Sequence, residues 1–254
     1  PPVPPWRFGC CAFVNWCDEH PDYQGIVDPD SCGQKRVRQE VARPNSKASD
    51  TLQREQLAAW FKVVRDIPNP VIAAYLQAVI LTGARREEML SRTWEHVDFV
   101  WHSLTIGDKV EGERIIPLTP YVAALLSSLP RRNDKKGKPL PWVFSSPTAA
   151  SGRIQDPRAQ HENACVIAGI PPVTIHGLRR TFKNMAEWVE VPAGVTAQLM
   201  GHKPSAIAER HYTSRPLDLL RVWHLRIEAW MLEQAGIEQP EVEVTTNGLR
   251  LVKH

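Results

Sequence analysis

No stretch of this 254-residue chain approaches the ~18 consecutive apolar residues that a membrane-spanning helix requires. No transmembrane segment is therefore expected. The start, Pro1-Pro2-Val3-Pro4-Pro5, lacks the basic region and apolar run of a secretory signal. It also lacks an initiator Met, so the chain is expected to be a fragment or a processed form. Cysteine is scarce and odd in number, five in all, which argues against a disulfide framework. Cys10, Cys11, Cys17 and Cys32, with His20 nearby, match none of the usual paired zinc-ligand spacings; buried thiols in a reducing compartment are expected instead. There is no Asp/Glu cluster of magnesium-like spacing, no internal repeat and no long low-complexity run. A large excess of charge of one sign is lacking too: 31 Lys and Arg against 28 Asp and Glu leave a net of only +3. That permits a polyanionic partner without demanding one.

What is present is an ordinary globular balance, 43% hydrophobic and 23% charged, on a chain long enough for one large core or two unequal domains. The basic residues are grouped, in Lys35-Arg36-Val37-Arg38 and again in Arg131-Arg132 with Lys135-Lys136 and Lys138. Local grouping matters more than net charge for phosphate contact, although such a group is also what a solvated loop carries. Residues 6–20 have amphipathic helical character, and 21–50 read as a polar linker. Asp50, with Gln53 three residues on, has the pattern of a capping box, and Leu57, Trp60, Phe61 and Val64 recur at helical spacing as core positions. Pro68-Asn69-Pro70 breaks that helix; an apolar one follows over 71–82, with Gly83 as its stop. A short helix over 86–92 precedes a β-hairpin built from 104–106 and 114–118. Then come a helix over 121–129, a basic loop over 130–141, a possible strand at Val143-Phe144, and helices over 157–168, 177–189, 193–200, 205–212 and 217–235. The last carries a stripe of Leu220, Trp223, Ile227, Trp230 and Met231 that is expected to dock on a neighbouring subunit, with packing onto its own domain as the alternative. From Gly236 a loosely ordered tail is expected. The fold class is thus mainly α with a small antiparallel β-sheet.

Six residues form one set: Arg85 after the helix stop, Lys109 at the hairpin turn, His176 and Arg179 three apart, His202 after Gly201, and Tyr212. A phosphodiester resists attack because its oxygens are negative, so catalysis needs cations on the non-bridging oxygens as charge builds. Arginine suits this best, with a planar fork and a permanent charge; Arg85 and Arg179 are the candidates. Lys109 at a hairpin tip can protonate a leaving 5′ oxygen. His176 can take a proton from a phenol or bond the phosphate, and His202 can donate to a phosphate oxygen. Tyr212 can attack phosphorus once bases and cations surround its phenol, leaving a phosphotyrosyl ester that keeps the energy of the original bond. Taken singly, each of these residues has an ordinary structural explanation. Their order and spacing together are far more specific.

In that order the chain resembles tyrosine site-specific recombinases of the phage and integrative-element integrase kind, over residues 50–235. The resemblance lies in Thr82-Gly83-Ala84-Arg85-Arg86-Glu87-Glu88, in Lys109 with Arg114 and Pro117-Leu118, in His176-Gly177-Leu178-Arg179, in Gly201-His202 and in His211-Tyr212-Thr213. It implies the recombinase catalytic-domain fold for 50–235, a remnant of a core-binding domain and interdomain linker in 1–49, and a C-terminal tail in 236–254. It also implies cleavage and rejoining of DNA through a 3′-phosphotyrosyl intermediate, for integration or excision of a prophage or integrative element. Arg85, Lys109, His176, Arg179, His202 and Tyr212 would be catalytic and Glu88 would brace the site, with no metal, cofactor or ATP. The implied partners are double-stranded attachment-site DNA and, in the full-length protein, a homotetramer on paired sites. The chain alone would be a monomer, without membrane association, in the bacterial cytoplasm at the nucleoid. Two other readings share these residues: a type IB-like topoisomerase, and a DNA-binding remnant of an integrase that no longer recombines.

Overall fold

The computed structural model describes residues 13–14, 16–26, 50–108, 112–134, 136–202 and 215–239, and the chain divides into two compact units, Pro1–Ser49 and Asp50–His254. In the first unit a helical turn over 16–19 leads into bends over 20–26. Trp16, His20 and Tyr23 gather their rings there, with centroids 4.9 to 5.5 Å apart.

The second unit begins with a 3-10 turn, Arg54–Gln56, whose N-cap is Gln53; the Gln56 carboxamide accepts the Gln53 N–H at 2.8 Å. Asp50 does not cap this helix as expected. Its carboxylate accepts instead from the N–H and hydroxyl of Thr174, at 2.7 and 2.6 Å, 124 residues away. Helix α1 (Leu57–Arg65) buries Leu57, Trp60, Phe61 and Val64, as their spacing predicts. Asn69 caps α2 (Pro70–Thr82) by accepting the Val71 N–H, and Pro70 opens it, since the first turn has no use for its missing N–H. Every residue of α2 from Val71 to Thr82 is buried, which makes it the central rod of the core. Gly83 ends it in the left-handed region, φ 64°, and a Cβ there would lie 2.5 Å from the Phe182 ring.

Helix α3 (Arg86–Leu90) leads to a three-stranded antiparallel sheet in the order β1 (Val97–Asp98), β2 (Ser103–Asp108), β3 (Gly112–Pro117). β2 and β3 form the expected hairpin, with Ser103 opposite Pro117 and Asp108 opposite Gly112. Val143-Phe144 is not a strand: Trp142 and Ser145, on either side, make only isolated bridges to Thr93 and Arg153. Helices α4 (Pro120–Ser127), α5 (Arg158–Ile167), α6 (Ile175–Trp188), α7 (Ala193–Met200) and α8 (Leu217–Gln234) follow, and a 3-10 turn, Trp94–His96, precedes β1. The expected helix over 205–212 and most of the expected tail lie outside the described residues. Of the cysteines, Cys17 and Cys165 are buried, while Cys10, Cys11 and Cys32 lie outside the described residues. No described helix is long and apolar enough to cross a membrane.

The stripe on α8 is covered by its own unit. Leu220, Ile227 and Met231 are buried in the common core, with Trp223 and Trp230 packed against it. Two polar residues between them are buried as well. Glu228 accepts the Thr119 hydroxyl and the Tyr121 and Val122 N–H groups, and so caps α4 from a distance. Burial pushes its pKa up against the opposing pull of these donors. His224 Nε2 donates to the Leu81 carbonyl at 2.9 Å, tying α8 to the last turn of α2 just before Gly83. Burial holds this imidazole near pKa 4, so it is neutral at physiological pH.

Candidate active site

Thr82-Gly83-Ala84-Arg85 brings the chain out of the buried rod and directly into α3. Arg85 is the N-cap of α3, and its backbone N–H donates to Glu88 Oε2 at 2.8 Å while its Nη1 donates to Oε1 at 2.7 Å. Arg114 of β3 binds the same carboxylate. Its Nη1 and Nη2 each donate at 3.0 Å, the two-pronged geometry that arginine makes with carboxylates. Glu88 is only 2% exposed, yet it stays charged. Burial works against the carboxylate, but the Arg114 and Arg85 donors outweigh it and hold its pKa at about 2.

Arg114 has a third bond, from Nε to the Leu199 carbonyl in the last turn of α7 at 3.0 Å. The next residues, Gly201-His202, close that helix. Gly201 is left-handed, φ 72°, and a Cβ on it would sit 2.5 Å from the Arg114 guanidinium. The His202 N–H returns to the Ala197 carbonyl at 2.8 Å, which fixes the exit of the chain. Arg114 thereby joins the Arg85 element to the His202 element. Arg92 does similar work on the other flank. It donates to the Glu88 carbonyl at 2.7 Å and to the Thr105 and Gly107 carbonyls of β2 at 2.9 and 2.7 Å.

His176 and Arg179 stand on the first turns of α6. Thr174 caps that helix by accepting the Gly177 N–H, and Asp50 holds Thr174 in turn. Arg179 is 3% exposed, and its Nη1 donates to the Gly83 carbonyl. This contact seats α6 against the chain segment leading to Arg85. His176 and His202 both face solvent. Their pKa values are both lowered. Partial loss of hydration comes first, followed for His176 by the charges of Arg180, Arg179 and Arg85 and for His202 by those of Arg179, Arg85, Lys183 and Arg114. The same two guanidinium groups, Arg85 and Arg179, thus act on both rings. Both shifts favour the neutral imidazole, which has one nitrogen to donate and one to accept.

The structure therefore brings Arg85, Glu88, His176, Arg179 and His202 together. Lys109, which falls between β2 and β3 in the sequence, and Tyr212 lie outside the described residues. The chain resumes at Arg215, whose backbone N–H and carbonyl both bond the Gln198 side chain of α7, at 3.1 and 3.0 Å. Asp50, Arg92 and Gln198 are supports that sequence reading did not identify. Arg92 offers no local signal, since its acceptors are backbone carbonyls. Among the described residues no group of three or more His, Cys, Asp and Glu side chains is placed to hold a metal ion.

A mainly helical unit in which a β-hairpin, a helix N-cap and a glycine-closed helix end bring two arginines and two histidines together is the tyrosine recombinase catalytic-domain fold. Solved structures share it: an integrase from mycobacterium phage Brujita, 17% identical, covers 93% of this chain and 73% of its own with a TM-score of 0.58. A lambda integrase dimer bound to a core site, 13% identical, covers 82% and 74% with a TM-score of 0.53. Residues 51–216 match the phage integrase family. Prophage integrase IntF of Escherichia coli strain K12 is 53% identical over 226 residues, 89% of this chain and 48% of the relative, so the chain spans about half of that protein's length. The chain belongs to the phage integrase family.

Proposed function

We propose that this chain cleaves and rejoins DNA strands at specific sites, with Tyr212 as nucleophile, in the integration or excision of a prophage or integrative element. The observation that carries this reading is the Glu88 hub: one buried carboxylate locks Arg85 and, through Arg114, the helix end that bears His202. Such preorganised positive charge serves a pentacoordinate phosphorane-like transition state and costs no rearrangement during reaction.

In this mechanism Arg85 and Arg179 take the non-bridging oxygens of the scissile phosphate, and neutral His202 donates to one of them. The Tyr212 oxygen attacks phosphorus as its proton passes to His176. The bond from phosphorus to the 5′ oxygen breaks, and Lys109 supplies that oxygen's proton. The products are a 3′-phosphotyrosyl ester and a free 5′ hydroxyl. Attack by the 5′ hydroxyl of another strand runs the same steps backwards and rejoins DNA without ATP. In the full-length protein a homotetramer on paired sites would exchange strands, while this chain alone would be a monomer. Its place is the bacterial cytoplasm, at the nucleoid.

A nicked suicide duplex carrying the element's attachment core tests the proposal. The expected result is a covalent complex that survives denaturing electrophoresis and forms equally well in chelator, since five cationic or imidazole groups supply the field a divalent ion would otherwise provide. Retention of DNA without covalent capture would favour the non-recombining remnant. Activity that vanishes with chelator and returns with magnesium would contradict the metal-free mechanism.

Lys109→Ala should slow cleavage of an ordinary substrate by about 10²–10⁴-fold, the usual scale of a lost general acid. A substrate with a bridging 5′ sulfur leaves as thiolate and needs no proton, so the loss there should be far smaller. Equal losses on both substrates would assign Lys109 to phosphate binding alone.

A further inference from the structure

The segment over 130–141 carries Arg131, Arg132, Lys135, Lys136 and Lys138 against the single acid Asp134, a net +4 where the whole chain has only +3. It is not a loose loop. Asn133 and Pro139 form an antiparallel bridge, the Leu140 N–H donates to the Arg132 carbonyl at 2.8 Å, and the Asp134 N–H donates to the Lys138 carbonyl at 2.8 Å. The Asp134 carboxylate is turned onto the turn's own backbone, accepting the Lys136 and Lys138 N–H groups at 2.8 and 2.9 Å. Its negative charge is thus engaged while the Lys136 and Lys138 side chains stay exposed. Arg131 lies over the Trp94 ring, 4.2 Å from its centroid, an arrangement that orients the guanidinium without neutralising it.

The base of this hairpin is stitched to the chain leaving α3. The Trp94 N–H donates to the Pro141 carbonyl at 2.9 Å, the Val143 N–H to the Arg92 carbonyl at 3.0 Å, and Thr93 bridges Trp142. Arg92 is the residue that holds Glu88 and β2. The basic hairpin and the Arg85–Glu88–Arg114 hub are therefore joined through backbone bonds to the Arg92 segment and through the Arg92 side chain to the Glu88 carbonyl.

We propose that this hairpin is a second DNA-contacting surface, which grips the phosphate backbone of the duplex away from the reacting phosphate. The inference rests on the reading of the chain as a DNA strand transferase. A duplex with one phosphate at Arg85 and Arg179 runs on past the site, and its neighbouring phosphates need counter-charges held in fixed register with that site. The hydrogen-bonded hairpin, with Arg131, Lys136 and Lys138 exposed, provides them. Its contacts are to phosphate, so they contribute affinity and salt dependence rather than sequence choice.

The test uses the 254-residue chain and its double variant Lys136→Ala/Lys138→Ala. Only the backbone of these two residues takes part in the hairpin's hydrogen bonds, so the fold should be kept, which circular dichroism checks. Binding to a random-sequence duplex is measured across salt concentrations. The expected result is a log–log salt slope shallower by about 1.8, roughly 0.9 per lost phosphate contact. Lys136→Arg/Lys138→Arg should keep the parent slope, and the rate of adduct formation at saturating nicked substrate should be the same in all three proteins. A double alanine variant with the parent slope would overturn the proposal, and so would one that reacts slowly when saturated. Failure of the parent chain to form any adduct would count against strand transfer instead, and the slope comparison does not depend on it.

Discussion

Tyr212→Phe should abolish the covalent protein–DNA complex on a suicide substrate while leaving noncovalent binding to the same duplex unchanged. The substitution removes one hydroxyl and none of the cationic groups. Affinity for DNA comes chiefly from phosphate contacts, which the variant keeps. No other residue of the candidate set offers an oxygen nucleophile: the remaining members are two arginines, a lysine and two histidines. His176, whose pKa is lowered by partial burial and by the Arg180, Arg179 and Arg85 charges, favours the neutral form that accepts the phenolic proton. Loss of adduct and loss of binding in parallel would mean that the phenol serves the fold or the docking of DNA rather than attack.

Glu88→Ala should be severe in a different way, destabilising the protein and its chemistry together. The carboxylate is 2% exposed and takes four charged-group hydrogen bonds or N–H contacts, two from Arg85 and two from Arg114. Its removal takes a shared carboxylate from two part-buried guanidinium groups, a loss of about 2–3 kcal/mol once the 3–5 kcal/mol of a fully buried pair is discounted for solvent screening. Cleavage should fall by about a hundredfold or more in whatever protein remains folded, because Arg85 loses the partner that aims it. The pH dependence supplies an independent check. The folded pKa of about 2 lies below the ordinary value of 4.5, so Glu88 contributes its stabilisation fully above pH 4.5 and loses it as pH falls towards 2. That contribution is about 3 kcal/mol at 1.36 kcal/mol per unit. Denaturant melts between pH 5 and pH 2 should therefore drop more steeply in the parent than in Glu88→Gln. Parallel curves would show that the carboxylate is not held by its arginines in the way the geometry requires.

Legibility in the sequence followed the range of the forces involved. α2 is plain because its signals are local: an Asn-Pro start, an unbroken apolar run and a glycine stop. The β2–β3 hairpin and the Leu57, Trp60, Phe61, Val64 stripe are legible for the same reason. β1 is only two residues, Val97 and Asp98, and exists because the turn after it closes on the Asp98 carboxylate, which accepts the Val100 and Trp101 N–H groups at 2.9 and 2.8 Å. The Asp50 capping pattern was real as a pattern, but Thr174 competes for the carboxylate with two short bonds, and no local rule places residues 124 apart in contact. His224 and Glu228 read as ordinary polar positions on a helix. Their partners, Leu81 and Thr119 to Val122, come to them only once the core is assembled. The grouping of Arg85, Glu88, His176, Arg179 and His202 was legible because phosphate chemistry restricts which residue types can serve and their order along the chain is distinctive; Lys109 and Tyr212 lie outside the described residues.

The most direct measurement is the identity of the covalent bond itself. The complex trapped on a nicked duplex is digested with protease, and the DNA-linked peptide is sequenced by mass spectrometry, with the attached strand end assigned by its sensitivity to exonucleases. The expected result is a peptide containing His211-Tyr212-Thr213, with the Tyr212 oxygen esterified to a 3′ phosphate and a free 5′ hydroxyl on the released strand. A linkage through any other residue, or a phosphate left on the 5′ end, would contradict the assignment of Tyr212 as the nucleophile of this site.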